Sequence, residues 1–252
     1  MDLGLADRVF VLTAASGGLG RATAECLVGE GARVVLVARR AEVLRDAVAE
    51  LGEANAVALV ADLSATDTAT RAAELALTTF GRLDGALISV GGPPRGGVLD
   101  NTDDEWRDAF ESVFLAGLRV ARAVIAAAPG PVVLALVLST SVKSPLPTMA
   151  ISNGLRPGLA MLVKQLADEV GPHGSRVVGL LPGTVATERI RYLHGQSPDP
   201  AAARAVAEAA IPLRRLGEPD EFARVAAFVL SPAASYLTGS MVAVDGGALR
   251  AL

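Results

Sequence analysis

The glycine-rich turn near the start of the chain reads Thr13-Ala14-Ala15-Ser16-Gly17-Gly18-Leu19-Gly20. It follows an apolar run over 8–13 and precedes a helical pattern over 20–29. A strand, a glycine turn and a helix in this order aim backbone N–H groups and the positive end of the helix at a phosphate. Gly18 and Gly20 allow a pyrophosphate to come close and the helix to contact the strand tightly. The segment therefore predicts a dinucleotide site at the first turn of a βαβ unit.

Short apolar runs alternate with helical patterns along the rest of the chain. Strands separated by helices pair in parallel within one sheet that is covered on both faces. The alternation therefore predicts a doubly wound α/β fold that spans residues 1–252 as a single domain. Further strands are predicted at 33–38, 56–61, 85–90, 132–138, 176–181 and 241–244. Further helices are predicted at 41–51, 65–80, 105–128, 154–170 and 218–230.

The composition fits a buried parallel sheet and narrows the classes of function. Of the 252 residues, 51% are hydrophobic and 4% aromatic, as in sheets covered by helices. A net charge of −4 gives no broad basic field for nucleic acid or an anionic membrane. No apolar stretch reaches the ~18 residues of a membrane span, and residues 1–8 do not resemble a signal peptide.

The few cysteine and histidine residues bear on compartment and metal binding. Cys26 is the single cysteine, so no internal disulfide forms, which fits a reduced, cytoplasmic compartment. With two widely spaced histidines and one cysteine, no metal site is expected.

Two arginines, Arg39 and Arg40, follow the second predicted strand. An acidic residue here would bind a ribose 2′-hydroxyl, as in NAD sites, whereas guanidiniums suit a 2′-phosphate. The position favours NADP as cofactor, with NAD possible; alternatively the arginines simply begin the next helix on a solvated surface. Asp62 and Leu63 end the third strand, where the carboxylate could cap an adenine or serve as a helix N-cap.

Six segments in a fixed order resemble the classical short-chain dehydrogenase/reductase family over essentially the whole chain. The resemblance implies a Rossmann-type fold with seven parallel strands, an NAD(P) cofactor and a homo-oligomer, either a dimer or a tetramer. It also implies that Pro182, Gly183 and Thr187 line the nicotinamide pocket, and that the segment after Thr187 covers a small-molecule substrate. The matching segments are 13–20, 61–63, 171–177, 181–187, 234–239 and 244–247.

The chain departs from the family pattern in the cofactor turn and beyond the fourth strand. Ala14 replaces the first glycine of the turn, and Ile88-Ser89-Val90-Gly91 replaces the Asn-Asn-Ala-Gly segment, so that Gly91 is kept. The helix asparagine of the family aligns with Val113. The predicted cofactor-binding set comprises Thr13, Ser16, Gly17, Gly18, Leu19, Gly20, Arg39, Arg40, Asp62, Leu63, Gly91, Arg156, Pro182, Gly183, Val185 and Thr187.

The catalytic positions depart further, because Ser152 and Arg156 align with the family's Tyr-x-x-x-Lys pair. In the family the tyrosine donates a proton to the carbonyl oxygen, and the lysine lowers the tyrosine pKa from about 10. A serine hydroxyl is a weaker acid, and an arginine stays protonated at ordinary pH. Arg156 could still hold ribose hydroxyls or stabilise a developing alkoxide. The catalytic serine is retained as Ser139 or Ser141, since the loop length allows both.

Three functions are compatible with this combination. The first is an NADP(H)-dependent oxidoreductase that reduces a carbonyl or oxidises an alcohol on a small, partly apolar substrate, with a rewired proton donor. The second is a non-redox enzyme or ligand-binding protein, and the third is a catalytically silent subunit that assembles with a partner. The first is favoured, because Gly20, Arg39 and Thr187 would have no role in a silent scaffold.

The stretch 184–215 is too long for a plain connection and is predicted to be a lid over the substrate. Tyr192 and His194 are its candidates for substrate contact, or else ordinary surface residues. Lys143, just past the serines, is expected to be a solvated loop lysine and not a displaced catalytic lysine.

Overall fold

The strands of the molecule lie side by side in one parallel sheet. The computed structural model describes residues 2–195 and 199–251, with the backbone alone at 193 and 194. The strands are β1 (Val9–Thr13), β2 (Arg33–Ala38), β3 (Ala56–Val60), β4 (Gly85–Ile88), β5 (Val133–Val137), β6 (Arg176–Pro182) and β7 (Met241–Val244). Their order is β3-β2-β1-β4-β5-β6-β7, with every pair parallel. The predicted fold class, a Rossmann-type doubly wound sheet of seven strands, is confirmed.

Helices cover both faces of this sheet. They are α1 (Gly18–Gly29), α2 (Ala41–Leu51), α3 (Thr68–Phe80), α4 (Asp103–Ala109), α5 (Ala116–Ala127), α6 (Ala150–Val170), α7 (Glu188–Gly195), α8 (Pro200–Ala209) and α9 (Pro219–Leu230). No helix in the described part of the chain has both the length and the apolarity needed to cross a bilayer.

The apolar strands supply two separate cores, because successive strand side chains point to opposite faces. Val9 and Val11 of β1 pack with α3, α5 and α6 on one face. Phe10 and Leu12 of the same strand pack with α1, α2 and α9 on the other. Each fully buried side chain of this size stabilises the fold by roughly 1.5–3 kcal/mol. A strand buried on both faces therefore has no polar side, as the uninterrupted apolar runs of the sequence require.

The helix predicted over 105–128 is not one continuous α-helix. A π-helical segment, Phe110–Leu115, joins α4 to α5, and the rings of Phe110 and Phe114 stack 5.0 Å apart within it. The wider π turn places one extra residue in the helix, and apolar periodicity does not reveal such an insertion. Val113 turns into the core, where it is buried.

Helix α6 begins earlier than the sequence predicts, at Ala150 instead of residue 154. Pro157 lies inside the helix, where it lacks the N–H that would bond back one turn. Burial of Ile151 and Leu155 on the sheet face offsets that loss and extends the helix toward its N-terminus. Ser152 therefore lies in the first turn of a helix and not in a loop.

The stretch 184–215 folds into two helices, α7 and α8, which the sequence analysis did not anticipate. Asp199 caps α8 by accepting a hydrogen bond from the Ala202 N–H at 2.9 Å. Beneath them, Ala186, Ile211 and Leu216 form a small apolar cluster of their own.

The single tryptophan, Trp106, packs directly on Gly154 of α6, where an added Cβ would lie 2.7 Å from the ring. We expect Gly154→Ala to displace the indole and to shift Trp106 fluorescence. Gly171→Ala is the matched control, because its backbone is helical and nothing lies within 4 Å of an added Cβ. Overpacking costs about 1–3 kcal/mol, so Gly154→Ala is expected to be less stable than the control by that amount in urea unfolding. Equal stability and unchanged fluorescence would contradict this packing.

Candidate active site

The site begins where the strand order reverses, between β1 and β4. Thr13 ends β1, and its Oγ1 donates to the Ser89 carbonyl at 2.5 Å while accepting from the Ser89 N–H at 2.9 Å. In open α/β sheets, ligands bind in the crevice at this switch point, beyond the carboxyl ends of the strands. The turn at 13–20 and the segment after β4 therefore form its two walls.

The glycine turn forms a backbone cradle. Gly18 has a φ of +56°, and Thr187 fills the space above it, 3.3 Å from where a Cβ would lie. At Gly20 a Cβ would come within 3.0 Å of the Ala14 carbonyl oxygen and the Ala15 Cα, so helix α1 rests directly on the turn. Ala14 itself adopts a φ of +52°, the left-handed region that favours glycine.

A cavity of about 350 Å³ opens at the carboxyl ends of β2 and β3. Arg40 donates to the Ser16 hydroxyl at 3.2 Å, which joins this cavity to the glycine turn. Arg39 lies 3.8 Å from the Asp62 carboxylate, and both side chains are largely exposed. The predicted cofactor-binding residues in its lining are Ser16, Arg39, Arg40, Asp62, Leu63 and Gly91.

Asp62 accepts a hydrogen bond from the Ser64 N–H at 2.9 Å, which lowers the pKa of this carboxyl below its usual range. Its expected alternative as a helix N-cap is wrong, since α3 begins at Thr68 and its N-cap is Asp67. The same finding shortens the helix predicted over 65–80. Asp62 is therefore an ionised group on the cavity wall, within reach of Arg39.

A second cavity of about 250 Å³ lies farther along the crevice, at the carboxyl ends of β4, β5 and β6. It brings together Ser139, Ser152 and Arg156 of the predicted catalytic set. Leu19, Pro182 and Gly183 of the predicted cofactor-binding set also line it.

The two candidate serines differ in position. Ser139 lines the second cavity and accepts a hydrogen bond from the Ser141 N–H at 3.1 Å. Ser141 is buried behind it, outside the lining, with its Oγ 3.4 Å from the Oγ of Ser152. Ser139 is thus the serine that faces the cavity, and Ser141 supports Ser152.

Arg156 is a buried cation, with 8% of its surface exposed. Its Nη1 donates to the Val137 carbonyl at the end of β5, at 3.0 Å. Burial, and after it the nearby cation of Arg189, lower the pKa of Arg156 to about 10. The guanidinium therefore stays protonated at neutral pH. It cannot act as a general acid, which must lose its proton and regain it in each turnover.

Several predicted residues lie elsewhere. Tyr192 is 66% exposed and is absent from the described lining of both cavities. The side chain of His194 lies outside the described residues. Val185 lines a separate cavity with Phe222 and Asp245, and Lys143 is exposed in its loop. Among the side chains that the structure describes, which exclude those of residues 193 and 194, no three of His, Cys, Asp or Glu form a group that could hold a metal ion.

Two residues of the second cavity, Arg95 and Arg189, were missed in the sequence analysis. Arg95 follows β4 and Arg189 lies two residues beyond Thr187, so both sit at carboxyl ends of strands that meet in the crevice. Their place at that edge was a usable signal, whereas the contact of Arg189 with the Gly92 and Pro93 carbonyls, which joins α7 to the segment after β4, was not readable from sequence.

Comparison with known proteins shows the family. The family model described as enoyl-(acyl carrier protein) reductase matches residues 13–248. The A-factor type gamma-butyrolactone 1′-reductase (1S-forming) of Streptomyces virginiae is 34% identical over 251 residues, covering 96% of both chains. The chain belongs to the short-chain dehydrogenase/reductase family.

Two solved structures are similar over nearly the whole chain. L-Sorbose reductase from Gluconobacter frateurii, complexed with NADPH and L-sorbose, has a TM-score of 0.93 at 29% identity and covers 100% of both chains. A short-chain oxidoreductase from Pseudomonas aeruginosa PAO1, described as containing an atypical catalytic center, has a TM-score of 0.91 at 30% identity. It covers 99% of this chain and 100% of its own.

The left-handed backbone at Ala14 has a measurable cost. We expect Ala14→Gly to raise the free energy of unfolding by about 0.5–1 kcal/mol, because glycine adopts this φ without a Cβ clash. Ala49→Gly, at an exposed position within α2, is the control and should lower it by about 1 kcal/mol. Urea titration of both variants measures the difference. A destabilised Ala14→Gly would show that the Ala14 methyl contributes more by packing than its backbone costs.

Proposed function

We propose that the protein is an NADP(H)-dependent oxidoreductase of the short-chain type that interconverts a carbonyl and an alcohol on a small substrate. The main support is the first cavity. Arg39 and Arg40 line it directly after β2, and the turn between β2 and α2 holds no acidic residue. Planar guanidiniums bind a 2′-phosphate through charge-assisted bonds, whereas an NAD site uses a carboxylate. The similar L-sorbose reductase is complexed with NADPH, which supports the same choice here.

We propose that the following residues hold this cofactor along its length. Arg39 and Arg40 would hold the 2′-phosphate, the 13–20 turn the pyrophosphate, and Pro182, Gly183 and Thr187 the nicotinamide. Asp62 and Leu63 would flank the adenine, and Gly91 would let it approach β4. When bound there, the nicotinamide supplies or accepts the hydride.

We propose further that the chain is an atypical member in which Ser152 and Arg156 replace the Tyr-x-x-x-Lys pair. Ser139 and Ser152 would donate hydrogen bonds to the carbonyl oxygen, and the charge of Arg156 would stabilise the alkoxide as it forms. Neither the two serine hydroxyls nor the Arg156 guanidinium can release a proton as readily as an activated tyrosine. The proton would therefore reach the alkoxide from water through the open cavity. The similar Pseudomonas aeruginosa protein with an atypical catalytic center supports such a departure.

The remaining parts of the proposal concern the lid and the assembly. We propose that 184–215 closes over the substrate as a lid, because Arg189 of α7 donates to the Gly92 carbonyl at 3.3 Å across the crevice. We also propose that the protein is cytoplasmic and that it forms a homo-oligomer. The oligomer is supported by Phe110 of the π-helical segment and Met161 of α6, which expose large apolar side chains.

The cofactor proposal is tested by calorimetric titration with NADPH and with NADH. Arg39→Ala combined with Arg40→Ala is expected to weaken NADPH binding by about 10- to 100-fold, while NADH binding changes by less than about twofold. Arg45→Ala on α2 is the matched control, because it removes an exposed charge outside the cavity lining. Equal losses for both nucleotides would contradict the 2′-phosphate assignment. If the unaltered protein binds neither, the scaffold functions replace this proposal.

The role of Arg156 is tested by comparing Arg156→Met with Arg156→Lys. Methionine fills similar space without charge, so we expect kcat to fall by about 10²–10³ as charge stabilisation is lost. Lysine keeps the charge and is expected to retain a larger share of the activity. NADPH oxidation at 340 nm over a set of carbonyl compounds measures both, with circular dichroism to check folding. A fully active, folded Arg156→Met would overturn the proposed role.

A further inference from the structure

The second cavity is positively charged on a chain that is negative overall. Among its described lining residues three are arginines and none carries a carboxylate, although the chain has 27 acidic and 23 basic residues. Within the described residues no ion pair involves any of the three. Like charges that converge on one cavity repel one another, most strongly where one of them is buried as Arg156 is, and a bound anion would relieve that repulsion.

The three arginines occupy different depths. Arg156 is at the buried end, fixed by the Val137 carbonyl. Arg95 and Arg189 lie at the exposed mouth, one on the segment after β4 and one on α7. The Arg189 guanidinium occupies the space in which a Cβ on residue 92 would lie, so a side chain at that position would displace the guanidinium from where it now crosses the crevice.

Arg189 does not face the glycine turn where the pyrophosphate is expected. The lid side chain beside that turn is Glu188, whose carboxylate lies 3.7 Å from where a Cβ of Gly17 would be. Adjacent helical residues point about 100° apart, so Arg189 leaves α7 in a different direction from Glu188 and extends over Gly92 and Pro93. Its charge is close enough to Arg156 to lower the pKa of that group, which an anion between them would reverse.

We propose that the substrate carries an anionic group, a carboxylate or a phosphate, which Arg189 and Arg95 bind at the mouth while its carbonyl lies at Ser139 and Ser152. This inference rests on the proposed function and specifies its substrate class. The apolar lining of Met149 and Ile190 would contact the carbon skeleton between the two ends. The rim arginines are binding residues for the anion and take no part in the hydride or proton transfer.

The first experiment measures binding with pairs of probes, each an acid and an uncharged counterpart of nearly the same shape. Acetate, benzoate and 4-phenylbutyrate, each paired with its uncharged amide, and inorganic phosphate are titrated calorimetrically into the full-length protein saturated with NADP⁺. We expect at least one carboxylate or phosphate to bind more tightly than its uncharged counterpart or than chloride, by about tenfold or more. Arg189→Gln is expected to remove that preference, and Arg189→Lys to restore part of it. A response to phosphate but to none of the carboxylates would identify the phosphate arm of the proposal.

The matched control is Arg191→Gln, which removes an exposed charge from the same helix without lining the cavity. It should leave the preference for anions unchanged. If no anion is preferred over its neutral counterpart, or if Arg191→Gln and Arg189→Gln have the same effect, the proposal is overturned.

A turnover arm separates this inference from the proposed function. Levulinate, acetoacetate and phenylglyoxylate are compared with their methyl esters by NADPH oxidation, and the acid-to-ester ratio of kcat/KM is expected to exceed about 10 and to fall in Arg189→Gln. Ester turnover that equals acid turnover contradicts the anion site while the oxidoreductase function stands. Anion binding that depends on Arg189 without any hydride transfer supports the anion site and contradicts the oxidoreductase function.

Discussion

The reciprocal hydrogen bonds between Thr13 and Ser89 tie together the ends of β1 and β4, the two strands on either side of the switch point. Both walls of the crevice begin at this link, so it sets the distance between them. The glycine turn continues from Thr13, and the segment that carries Gly92 and Arg95 continues from Ser89. Both hydrogen bonds use backbone groups of Ser89, so the link tolerates any side chain there.

The architecture was readable from sequence because buried parallel strands must be apolar on both faces. All seven strands of the structure were anticipated, and strand ends differ by one or two residues. The errors fell where local pattern is uninformative: the π-helical segment at 110–115, the four added residues at the start of α6, and the two helices within 184–215. Motif spacing located Ser152 and Arg156 on one helix. It could not separate Ser139 from Ser141, because their exposure is set by a single turn of 3₁₀ helix. Arg95 and Arg189 were missed because they reach one cavity only through the packing of α7 against the segment after β4, which is distant in sequence.

Arg156 shows how a buried charge can be kept in an active site. Taking an unpaired cation out of water is expensive, and one carbonyl partner offsets only part of the cost. In a Tyr–Lys pair, such a cation lowers the pKa of the neighbouring tyrosine, which is the acid. In the proposed site the neighbour is Ser152, whose hydroxyl lies 3.4 Å from that of Ser141, and a serine is too weak an acid for the charge to activate. A cation in this position would stabilise negative charge on an oxygen that enters the cavity, and more strongly the less water the cavity holds.

The π-helical segment between α4 and α5 has a consequence for how this enzyme can change over evolutionary time. A single inserted residue is absorbed within the helix, so the faces of α4 and α5 are rotated relative to a continuous α-helix. Ser112 lines the first cavity from this segment while Val113 beside it fills the core. The residues of α4 and those of α5 therefore follow separate helical registers. Substitutions can reshape the wall of the cavity on one side of the insertion without forcing the other side to repack against the sheet.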